Sequence, residues 1–154
     1  MCGIAGIIHR GEPAGIGKQM TEMLQSMKHR GPDSTGYALY GKPQDNELIM
    51  RFKVAEQHEM QQGFDIHEMV KQRRSEVDRR LQLLGAEIGS REEATEYAFR
   101  YQLIVDGDLR KLSDYIEDIE GVEILSLGSA LELIKDLGDA DQVSEQYSLD
   151  NFSG

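Results

Sequence analysis

The 154 residues carry 28 acidic against 17 basic side chains, a net charge of −11, and a single cysteine. So acidic a chain has no basic stripe to displace counterions from a phosphate backbone, which argues against nucleic acid as a partner. One cysteine excludes an internal disulfide and fits a reducing compartment. The sequence has no apolar run long enough for a membrane helix and no signal-peptide pattern at its start, so no membrane contact and a cytoplasmic location are the expectation.

The chain opens Met1-Cys2-Gly3-Ile4-Ala5-Gly6-Ile7-Ile8. Methionine excision works when the next side chain is small, as cysteine is, and removal of Met1 leaves Cys2 at the terminus. One residue then carries a thiol and a free amine. An α-amine titrates at about 7.7–8.0 and a free thiol at about 8.5, so near neutral pH the amine is partly available as a base beside the nucleophile. Nucleophile plus adjacent base is the recipe for covalent catalysis. The plain alternative is that Cys2 is a small buried hydrophobe. Gly3 and Gly6 leave room for a substrate to approach, and Ile4, Ile7 and Ile8 suit a strand. Residues 2–8 are therefore predicted to form a strand that delivers Cys2 into a cleft.

His9 to Gly15 reads as a loop, and 16–28 as a helix with Ile16, Met20, Met23, Leu24 and Met27 on a core face. The next segment is His29-Arg30-Gly31-Pro32-Asp33-Ser34-Thr35-Gly36. Here Pro32 and Asp33 make a turn, and the strand 35–40 follows. Further strands are predicted at 47–54 and 95–105, the second alternating Tyr97, Phe99, Tyr101, Leu103 and Val105 against polar neighbours. A long helix at 64–84 lies between them. Asp108 caps a helix that Gly121 ends, 122–127 and 130–134 read as strands, and 139–147 as a short helix. The basic residues Lys71, Arg73, Arg74, Arg79 and Arg80 are interleaved with Glu68, Glu76 and Asp78, the pattern of a solvated helix face with i,i+4 ion pairs.

The middle of the chain is thus a succession of short strands and helices, read as a two-layer α/β lobe of ferredoxin-like type. His9 and His29 lie near the two glycine-containing segments and are candidates for the entrance of a pocket. His58 and His67 have no companion ligands at zinc spacing, so no metal site is expected. Gly15-Ile16-Gly17-Lys18 is too short to be a phosphate loop, and no cofactor is expected.

Taken together, Met1-Cys2-Gly3-Ile4-Ala5-Gly6 and Arg30-Gly31-Pro32-Asp33-Ser34-Thr35-Gly36 resemble the start of the class II glutamine amidotransferase domain. That is the N-terminal-nucleophile glutaminase of glutamate synthase, amidophosphoribosyltransferase, asparagine synthetase and glucosamine-6-phosphate synthase. The match covers roughly the first 40 residues. The resemblance implies that Cys2 attacks the side-chain amide of glutamine. The products are a glutamyl thioester and ammonia, which passes to a synthase domain or subunit, and Arg30 and Gly31 help shape the pocket. It implies an α+β fold: the start of an αββα sandwich at 1–44, an inserted ferredoxin-like lobe at 45–137 and a return segment at 138–154. The long insertion is similar to that of small glutamate-synthase-like subunits, and a homo-oligomer is compatible with it.

The family pattern continues with a His-Thr-Arg segment that grips the substrate carboxylate, an Asn-Gly pair that supplies the oxyanion hole, and an aspartate for the substrate amine. These 154 residues have no His-Thr-Arg and no Asn-Gly, and they resemble a truncated or split chain. The alternative to an enzyme part is a non-catalytic interaction or regulatory module with a vestigial amidotransferase start.

Overall fold

A computed structural model describes residues 2–11, 15–31, 33–43, 46–63 and 65–152. The chain divides into two compact units, one built from residues 1–39 and 134–154, the other from 40–133. Mixed helix and antiparallel strand make it an α+β protein.

In the first unit, helix α1 (Ile16–Ser26), strand β1 (Ser34–Tyr40), strand β6 (Leu131–Leu137) and helix α4 (Ala140–Gln146) surround a small core. β1 and β6 pair as a two-stranded sheet. Alternation turns Tyr37 and Leu39 inward beside Ile134, Val143 and Leu149, and Met20, Leu24, Tyr147 and Phe152 pack around them. Met23, expected on the core face of α1, is instead 41% exposed. α1 approaches the 3-10 turn Leu149–Asn151 so closely that a side chain at Gly17 would overlap the Leu149 carbonyl oxygen, and the Gly17 amide donates to the Phe152 carbonyl at 3.0 Å. α4 starts with a capping box: the Asp139 carboxylate accepts from the Gln142 amide, and the Gln142 side chain accepts from the Asp139 amide.

The second unit runs β2 (Leu48–Lys53), α2 (Asp65–Leu83), β3 (Glu87–Glu93), β4 (Ala98–Ile104), α3 (Leu109–Glu117), β5 (Glu123–Gly128). Its sheet has the order β3-β4-β2-β5, and every pair is antiparallel. Register puts Met50 opposite Tyr101 and Phe52 opposite Phe99, so one face carries the aromatic core. Phe52 meets Tyr101 edge-on at 4.9 Å between ring centroids. α2 lies against this face, burying Ile66, Val70, Val77 and Leu81 and sending Arg74 to the Tyr101 hydroxyl. Burial pushes the Tyr101 phenol up to about 12, against the pull of Arg74. The basic residues of α2 divide: Arg79 and Arg80 pair with Glu76 on the surface, whereas Arg73 reaches the Val54 carbonyl at 2.7 Å and Arg74 stacks over Phe99. Both outer strands are guarded. β3 carries charges at both ends, Glu87 and Arg91 to Glu93, and β5 is bulged where the register slips between Arg51 and Phe52 of β2.

β3 has no counterpart among the sequence-predicted strands. Conversely, residues 2–10 form no strand. The reason is physical: a strand exists only where a neighbour takes up its backbone hydrogen bonds, and neither sheet includes this segment.

Candidate functional site

Cys2 is exposed, as are Ile4 at 91% and Ile8 at 94%, whereas Gly3, Ala5 and Ile7 are half-buried. This two-residue alternation is that of extended chain, although it is unpaired. The expectation that a strand carries Cys2 into a cleft is therefore corrected: the thiol lies at the surface of an unpaired segment.

Gly3 faces Met27. A side-chain carbon at Gly3 would stand 3.4 Å from both Cβ and Sδ of Met27, which is van der Waals contact. Met27 is the residue on which α1 ends; its amide donates to the Leu24 carbonyl. The backbone then tightens into the 3-10 turn Lys28–Arg30, and the Arg30 amide donates to the Met27 carbonyl at 2.8 Å. The two segments singled out in the sequence, Cys2-Gly3 and Arg30-Gly31, thus meet at one residue.

Arg30 and Gly31 are both exposed. Pro32 lies outside the described residues. Beyond it the turn is fastened to the start of α4: the Gly138 amide donates to the Asp33 carbonyl at 3.1 Å, and the Thr35 hydroxyl donates to the Gly138 carbonyl at 2.9 Å. Under β1, the Tyr37 hydroxyl donates to the Ala140 carbonyl and touches the Thr21 hydroxyl, and burial raises its pKa. His29 is exposed in the 3-10 turn, and His9 contacts Gln19 at 3.5 Å. Among the described residues no three His, Cys, Asp or Glu side chains are grouped to hold a metal, and no helix is long and apolar enough to cross a membrane.

Sequence reasoning placed Met27 on a core face and missed its bridging position. Its only signal was its place between the helix and the Arg30-Gly31 turn.

A scan of protein-family models finds none that matches this chain. The chain is similar to a protein of Methanothermobacter thermautotrophicus described as "Putative glutamine amidotransferase", 31% identical over 152 residues that take in 96% of this chain and 47% of that protein. The chain therefore spans about half the length of the curated relative it matches.

Proposed function

We propose that this chain is part of a class II, N-terminal-nucleophile glutamine amidotransferase. After removal of Met1, the Cys2 amine takes the thiol proton and Sγ attacks the side-chain amide carbon of glutamine. The carbon–nitrogen bond breaks, ammonia leaves with the proton, and water then hydrolyses the thioester to glutamate. Arg30 and Gly31 form one wall beside the nucleophile. The ammonia goes to a synthase domain or subunit. In this reading, residues 45–137 are a ferredoxin-like lobe inserted into the start of an αββα sandwich, and the protein works in the cytoplasm.

The observation that carries this reading is that both segments lie beside Met27, whose side chain faces Gly3 and whose carbonyl accepts the Arg30 amide. The name of the Methanothermobacter relative supports it. The carboxylate clamp, oxyanion donors and amine-binding aspartate of the resemblance have no match in the 154 residues. Losing one oxyanion donor alone costs about 10²–10³ in kcat. The 154 residues alone are therefore expected to release little ammonia, and the same residues supplied with a segment that carries the His-Thr-Arg and Asn-Gly elements are expected to turn over. Ammonia release that is absent from both, with Met1 removed, overturns the proposal.

A second reading, a non-catalytic module, draws on the surface position of Cys2 in an unpaired segment. Met1 retained in the purified protein, seen by intact mass, would favour it, because a blocked amine cannot serve as the base.

A further inference from the structure

We infer that Met27 is the positioning residue of the Cys2 site, the side chain that fixes where the nucleophile stands relative to Arg30. The inference rests on the proposed glutaminase reading and adds to it a residue that touches no substrate. Residues 2–10 have no strand neighbour to hold them, so the place of Cys2 depends on local packing. The Met27 side chain faces Gly3, the residue bonded to Cys2: its Cβ, Sδ and Cε all lie within 3.4–3.6 Å of the position a side-chain carbon there would take. The same residue's carbonyl accepts the Arg30 amide, and its own amide is tied to Leu24, so Met27 is itself held at the end of α1. One residue therefore couples the two halves of the candidate site, by side chain to one and by backbone to the other. Methionine suits the place: it is unbranched and polarizable, and it packs against a bare glycine backbone without demanding one shape.

The single cysteine allows a direct test on the full chain. A nitroxide label on Cys2 broadens the amide resonances near it. The expected result is strongest broadening at residues 27–31, reduced severalfold by Met27→Ala and restored by Met27→Leu, which returns the bulk. The melting temperatures of these variants should stay close to that of the parent. Gly3→Leu is an independent variant in a segment without regular structure; it should push Cys2 away from Met27 and give the same severalfold loss. Broadening unchanged by both Met27→Ala and Gly3→Leu, or no preference for residues 27–31 in the parent, overturns the inference. The two levels fail separately. A parent chain that shows the broadening, while the chain supplied with the His-Thr-Arg and Asn-Gly segment releases no ammonia, removes the glutaminase reading and leaves the positioning of Cys2 intact.

Discussion

Arg51 and Arg100 stand directly opposite each other on β2 and β4 and share one carboxylate, that of Glu132. Like charges facing across a sheet repel. Here Glu132 accepts from Arg51 Nε at 2.6 Å and from Arg100 at 2.8 and 3.1 Å, which turns the repulsion into a bridge. Burial opposes ionisation of Glu132, but the hydrogen bonds and charges of the two arginines outweigh it and hold its carboxyl below the usual range.

Glu132→Gln should therefore destabilise the 40–133 unit by about 2 kcal/mol, less than the 3–5 kcal/mol typical of breaking a fully buried pair, because the three side chains keep between 12% and 19% exposure. The pH dependence has a fixed sign. A carboxylate with a lowered folded pKa contributes stability that is present above its unfolded value of about 4.3 and is lost as pH falls through the folded value. Urea unfolding of parent and variant should show the widest gap near neutrality and a narrowing gap below about pH 4. A gap that widens in acid contradicts this assignment.

Gly17→Ala should destabilise the first unit by about 3 kcal/mol, the upper end for overpacking. The obstructing atom is the backbone oxygen of Leu149, which cannot rotate away as a side chain can. Gly6→Ala has nothing within 4 Å of the added carbon and serves as the neutral control. Thermal unfolding of the pair checks the contrast.

Gly121 follows α3 at φ +80°, and a side chain there would overlap the Arg73 guanidinium, which donates to the Val54 carbonyl. The left-handed backbone alone costs a non-glycine residue about 1–2 kcal/mol. Gly121→Ala should lose at least that much in chemical denaturation, whereas Gly63→Ala, also at positive φ but with open space around it, should lose the backbone part only.

In the chain supplied with the His-Thr-Arg and Asn-Gly segment, Cys2→Ser should lose most ammonia release although a hydroxyl remains. A thiol is more nucleophilic and partly ionised near neutrality, whereas serine requires a stronger base. Equal rates for the two forms would place the chemistry elsewhere.

Much of this fold can be read from residue patterns where burial is one-sided. The alternation Phe99, Tyr101, Leu103 marks β4, the spacing Ile66, Val70, Val77, Leu81 marks α2, and Asp108 announces the start of α3 as its cap. β3 is illegible because Glu87 to Glu93 is a sheet edge whose charges protect it from further pairing, which erases the apolar alternation that would reveal it. The Ile-rich start misleads in the opposite direction: its β-branched residues favour extended chain, but a strand also needs a partner, and local sequence does not encode one. Cys2, Arg30 and Gly31 stand out by residue type. Their nearness to Met27 depends on how α1 ends and where Gly3 lies relative to it, which no short motif states.

The most direct test of the central claim is to map, by peptide mass spectrometry, the adduct formed by a glutamine-mimicking electrophile on the chain supplied with a segment that carries the His-Thr-Arg and Asn-Gly elements. The account predicts one adduct, on Cys2 with Met1 removed, slowed by excess glutamine and absent from Cys2→Ala. An adduct on another residue, one on Cys2 with Met1 still attached, or labelling indifferent to glutamine would contradict it.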